Sequence, residues 1–129
     1  MPEPDEPVLL QTATPWGVRL TLNRPAKLNA LSGQLVGALT VAIDGAVADS
    51  HVRVIVIEGA GRAFSSGYDL TEEAEGGPPG PVEWRELLAA DVAATLRILD
   101  CPKPVIASAQ GAVAVDALVV LEGPDDART

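Results

Sequence analysis

The chain has 129 residues, 47% apolar but only 3% aromatic, so it can bury one real core built mainly from Val, Leu, Ile and Ala. Its net charge of -9 argues against nucleic acid or an anionic membrane as the main partner, because both need clustered Lys and Arg. An anionic ligand would be repelled at long range and would require positive groups held locally.

The opening Met1-Pro2-Glu3-Pro4-Asp5-Glu6-Pro7 is acidic and proline-rich, the opposite of a signal or transit peptide, and residues 1–7 are expected to be a disordered tail. Val8 to Ala13 and Trp16 to Asn23 read as two strands. In the second, Val18, Leu20 and Leu22 alternate with Arg19 and Thr21, the period of a strand with one buried face. Thr14-Pro15 supplies the turn between them, so an antiparallel hairpin is the simplest pairing.

Asn23 to Leu31 is predicted to be a loop, with Pro25 ending the strand. Ser32 is a good N-cap. From Gln34 to Asp49, Leu35, Leu39, Ile43 and Val47 recur every four positions, which predicts an amphipathic helix. His51, the sole histidine, falls in the connector after it and reads as a solvent-facing residue rather than a base. Val54-Ile55-Val56-Ile57 is a continuous apolar run and predicts a buried strand.

The stretch from Gly59 to Leu70 then leaves the carboxyl end of that strand, where open α/β sheets place their ligands. Three glycines and two serines let main-chain N–H groups approach a ligand closely. By itself the stretch reads equally well as an ordinary glycine-rich turn. Residues 71–81 are acidic and full of breakers, and suit either a lid or a plain linker. Val82 to Leu99 has helical spacing, Pro102-Lys103-Pro104 stops it, and Val105 to Ala109 predicts another short buried strand. Ala117 to Glu122 suits a short last helix. The order β-β-α-β-α-β-α implies a hairpin feeding right-handed crossovers.

One cysteine, Cys101, excludes an internal disulfide and suits a reducing compartment; with no His near it in sequence, an inert thiol is the simpler reading. No apolar run approaches the roughly 20 residues that span a membrane, and no metal-ligand cluster is visible. A cytoplasmic protein is expected.

Three blocks together resemble the enoyl-CoA hydratase/isomerase (crotonase) family: Asn23-Arg24-Pro25 with Asn29-Ala30-Leu31, Gly61 to Leu70, and Pro102 to Ala107 with Gly111. They occur in the family's order and at family-like spacing, over roughly residues 8 to 128. The resemblance implies an α/β crotonase-like (ClpP/crotonase) spiral of ββα units, here truncated to its N-terminal half, with residues 8–129 as a partial domain. It also implies acyl-CoA thioester ligands, no cofactor beyond the coenzyme A of the substrate, and trimers or hexamers. In this family two backbone N–H groups bind the thioester oxygen and stabilise the enolate, and such donors are worth about 2.7–4 kcal/mol each in oxyanion-hole mutagenesis.

By motif position the resemblance assigns the first donor to Ser66. Ser65, Gly67 and Tyr68 would border the pantetheine and adenine path, Asp69 would brace the loop, and Asn29 and Ala30 would lie along the coenzyme channel. Lys27 suits either a cation for the phosphates or a solvated loop lysine. Asp116 stands at the second donor position by count, although an N-cap for the last helix is the simpler reading of it. The position matching one catalytic Glu of the hydratases is Val119, which cannot move a proton, and the other Glu would lie beyond Thr129.

Two functions therefore follow. One is an acyl-CoA enzyme of fatty-acid metabolism, hydratase or isomerase, working by enolate stabilisation. The other is an inactive relative that binds acyl-CoA or assembles with itself or with a full-length partner.

Overall fold

The computed structural model describes residues 6–67 and 80–109, which form a four-stranded sheet with two helices. Strand β1 (Leu9–Thr14) and strand β2 (Gly17–Leu22) form the expected antiparallel hairpin, with Leu9 opposite Leu22 and Thr14 opposite Gly17. The Thr14 hydroxyl accepts from the Gly17 N–H at 2.9 Å and closes the turn. Helix α1 (Gly33–Ala48) crosses to β3 (Val54–Gly59), and helix α2 (Pro81–Leu99) precedes β4 (Val105–Ser108). The sheet order is β1-β2-β3-β4, and β3 lies parallel to both β2 and β4. The short helix expected over Ala117 to Glu122 lies outside the described residues.

The register explains the burial. Val18, Ile55 and Val105 stand in one row, and Leu20, Ile57 and Ala107 in the next. This face packs on α1, whose Leu35, Leu39, Ala42, Ile43 and Ala46 are all buried. Ala94 and Ile98 of α2 join the same core. With few aromatic residues, the core is aliphatic around Phe64, which is completely buried. Alternate residues on β2 and β3, Arg19, Thr21 and Glu58, point to the other face, where the Thr21 hydroxyl donates to Glu58 at 3.0 Å.

Ser32 caps α1 as its residue type predicts, its hydroxyl accepting from the Leu35 N–H at 3.2 Å. The other end of α1 has no basic residue in its last turn. Lys103, remote in sequence, supplies the missing charge from the segment before β4. Its ammonium donates to the carbonyls of Ala46 at 2.7 Å and Asp49 at 2.6 Å, adding a charged second donor to oxygens at the negative end of the helix that each already accept one backbone N–H. Nearby, His51 lies at the surface beside Asp49, as its connector position suggests. Its backbone N–H, first among several causes, holds the Asp49 carboxyl below the usual aspartate value. That contribution is present at neutral pH and is lost as acid protonates Asp49 below its lowered value.

The capping by Lys103 yields a prediction. Lys103→Met, which keeps the apolar stem but deletes the donors, should lower unfolding stability by about 1 kcal/mol in a urea titration.

Candidate functional site

The parallel pairing of β2 with β3 puts Leu22 opposite Gly59, so the loops that follow both strands leave the sheet at the same level. The first runs from Asn23 to Ser32 and the second from Gly59 to Gly67. Their first link is the Ala60 N–H, which donates to the Leu22 carbonyl at 2.9 Å. Gly59 has no room for a side chain: a Cβ there would lie 2.5 Å from the carbonyl oxygens of Ala63 and Phe64.

The first loop is tightly wound. Pro25–Lys27 form a single 3₁₀ turn inside the segment expected to be irregular. Leu28 and Asn29 then both adopt left-handed backbone, with φ of 53° and 55°. Asparagine tolerates this conformation through local hydrogen bonding, whereas for leucine it costs about 1–2 kcal/mol. Adjacent strain of this kind persists only where surrounding contacts enforce it. Here the Arg24 guanidinium donates to the Ala30 carbonyl at 2.6 Å, and the Arg24 N–H donates to Asn29 Oδ1 at 2.8 Å.

The two loops are then bound to each other. Asn29 Nδ2 donates to the carbonyls of Ala60 at 2.8 Å and Ala63 at 2.9 Å. The Ser65 hydroxyl donates to the Asn29 carbonyl at 2.9 Å and accepts from the Gly67 N–H at 3.1 Å. The Leu31 N–H donates to the Gly67 carbonyl at 2.7 Å, and Gly67 turns the chain with φ of 91°.

This geometry corrects several expectations. The Ser66 N–H donates to the Leu28 carbonyl at 2.9 Å, so it is spent inside the fold and is not a donor awaiting a ligand. Asn29 and Ser65 are fully buried and give their side chains to the loop pair; their role is bracing, not lining a coenzyme channel. Ala30 is likewise buried, with its carbonyl held by Arg24. Gly67 is buried and its N–H is committed to Ser65. Lys27 is exposed, and its carbonyl accepts from the Ala30 N–H at 3.1 Å. Tyr68, Asp69 and Asp116 lie outside the described residues, as does Val119.

Sequence reasoning missed the bracing role of Asn29 because nothing local shows where a carboxamide points. The one available signal was the asparagine itself, a residue suited to left-handed backbone next to a 3₁₀ turn. Elsewhere, a cleft of about 400 Å³ between the helices is lined by Ile43, Leu96, Arg97 and Cys101, with Arg97 paired to Asp44 at 2.9 Å. A second of about 340 Å³ lies between α1 and the hairpin, with Val41 and Val52 in its wall. Neither touches the Gly59–Gly67 turn. Among the described residues, no three His, Cys, Asp or Glu side chains are grouped to hold a metal, and no helix is long and apolar enough to cross a membrane.

A hairpin leading into parallel crossovers, with two interlocked loops at the strands' carboxyl ends, defines part of a crotonase-type fold. Residues 17–119 match the family described as enoyl-CoA hydratase/isomerase, and the chain belongs to that family. It is 33% identical over 114 residues to the mitochondrial Delta(3,5)-Delta(2,4)-dienoyl-CoA isomerase of Rattus norvegicus, covering 82% of this chain and 35% of that protein. A probable enoyl-CoA hydratase of Rhodobacter capsulatus is 38% identical over 96 residues, 74% of this chain and 35% of the relative. The crystal structure of an enoyl-CoA hydratase/isomerase from Xanthobacter autotrophicus Py2 superposes with a TM-score of 0.83 at 39% identity, covering 88% of this chain and 42% of that one. The chain thus spans about a third of the curated relatives' length.

The two serines of the turn should respond differently to mutation. Ser65→Ala removes a buried hydroxyl with two partners and should cost about 1–3 kcal/mol of stability. Ser66→Ala removes only an exposed 3.4 Å contact to the Lys27 carbonyl and should stay within about 0.5 kcal/mol in the same denaturation experiment.

Proposed function

We propose that this chain binds acyl-CoA thioesters and polarises their carbonyl through backbone N–H donors of the glycine-rich turn. The observation that carries this reading is that the family match runs through a turn fixed by backbone and buried side chains at the carboxyl ends of two parallel strands. Fixed amides need no reorganisation as charge develops on a thioester oxygen, which is how such donors stabilise an enolate. The names of the relatives, a dienoyl-CoA isomerase and an enoyl-CoA hydratase, agree in the coenzyme A ester and differ in the reaction.

With the amides of Ser66 and Gly67 engaged, the next one along the chain belongs to Tyr68, and we assign the first donor to it. Asp116 is the proposed second donor. Its carboxylate beside a forming enolate would raise the barrier, because like charges disfavour one another. Lys27, exposed at the edge of the first loop, is the proposed cation for the coenzyme's phosphates.

Val119 favours a second reading within the same site: binding without efficient proton transfer, since a valine cannot act as acid or base. Calorimetry with butyryl-CoA, run beside a crotonyl-CoA hydration assay, separates the two. Binding without turnover is expected; hydration at an ordinary enzymatic rate would show that a proton-transfer group other than position 119 is in use.

The donor assignment has its own test. Tyr68→Ala keeps the backbone N–H and Tyr68→Pro deletes it, so their difference isolates the amide. The proline variant should bind butyryl-CoA more weakly than the alanine variant by about 0.5–1.5 kcal/mol, up to roughly tenfold in Kd. Equal affinities would show that the Tyr68 amide is not a donor.

A further inference from the structure

We propose that Asn29 is the positioning residue of this site: its buried carboxamide sets the path of the backbone through Ser66 and Gly67, the residues that precede the proposed Tyr68 donor in sequence. The inference rests on the thioester reading above for its functional consequence, but its structural content can be tested without any ligand.

Asn29 is fully buried and makes three side-chain hydrogen bonds, all to backbone. One acceptor holds the Arg24 N–H in its own loop, and two donor hydrogens reach the carbonyls of Ala60 and Ala63 in the other. Its own carbonyl receives the Ser65 hydroxyl, which in turn accepts from the Gly67 N–H. A relay therefore runs from Asn29 through Ser65 to the last described residue of the turn. The neighbouring Leu28 carbonyl, aimed by the same left-handed pair, receives the Ser66 N–H.

No other side chain meets these demands together. The position needs tolerance of a φ of 55°, one acceptor, and two donors in one planar group. Aspartate has the shape but offers only acceptors when ionised, and would press a carboxylate against two carbonyl oxygens. Glycine has the conformational freedom and no hydrogen bonds. Alanine has neither. Because Gly61 and Gly67 leave the turn few intrinsic restraints, losing the cross-link frees its backbone more than it frees the helices.

The experiment uses the full chain with Asn29→Asp and Asn29→Gly, combining amide hydrogen exchange with butyryl-CoA calorimetry well below the melting temperature. Exchange at Ser66 and Gly67 should rise about tenfold or more in both variants while α1 amides change less than about twofold. Butyryl-CoA affinity should weaken about tenfold. Unchanged exchange at Ser66 and Gly67 overturns the proposal. So does a rise shared equally by α1, which would mean general destabilisation, or a local rise with affinity intact. Should the wild-type chain bind no butyryl-CoA, the thioester reading fails, and the exchange pattern alone decides the positioning role. If neither Asn29 variant folds, Ser65→Ala cuts the link between the Asn29 carbonyl and the turn: faster exchange at Ser66, whose own acceptor on Leu28 is left in place, supports the proposal, and unchanged exchange there overturns it.

Discussion

The molecule depends on the joining of two loops that are remote in sequence and adjacent in space. Parallel strands cannot be linked by a tight turn, so β2 and β3 leave the sheet side by side with their connections running off separately. Two such loops would expose unpaired backbone to each other. Here the Asn29 carboxamide, the Ser65 hydroxyl and the hydrogen bond from Ser66 to Leu28 pair those groups across the gap. Buried polar networks stabilise a single arrangement when satisfied and are costly when partly satisfied. Among the described residues this one leaves no buried side-chain nitrogen or oxygen unpaired.

The same reasoning explains why a sheet with an aliphatic inner face can carry a polar site at its end. Leu20, Leu22, Ile55 and Ile57 form a smooth floor under α1, and Phe64 extends that floor beneath the turn itself. The apolar layer secures the loop from below while hydrogen bonds orient it from the side. Lys103 performs a comparable service at the opposite end of the sheet, joining the approach to β4 to the end of α1. Both ends of the helix are therefore capped, one by its neighbour Ser32 and the other by a residue 54 positions beyond Asp49.

Much of this architecture was legible in the residues. Alternation in β2, the four-residue spacing of α1 and the serine before it are local signals, and each produced its element within a residue or so. The family resemblance also held, with residues 17–119 matching the enoyl-CoA hydratase/isomerase family. The site was less legible because its logic is not local. Asn29 and Ser65 were read as neighbours of a ligand, when their partners lie in each other's loop. Ser66 was read as a donor from its place in a motif, although the availability of an amide depends on where a carbonyl 38 residues earlier points. The lysine of Pro102-Lys103-Pro104 read as a helix stop, and only the fold reveals it as a cap.

The shared level at which Leu22 and Gly59 leave the sheet also bears on how this protein can diverge. Surface loops ordinarily absorb insertions and deletions with little penalty, because closing a slightly longer loop costs little entropy. These two cannot vary independently: one residue added to either would slip carboxamide, hydroxyl and amide out of step with their mates across the gap. On this geometry, exchanging side chains at fixed spacing disturbs the joint less than changing the length of either loop.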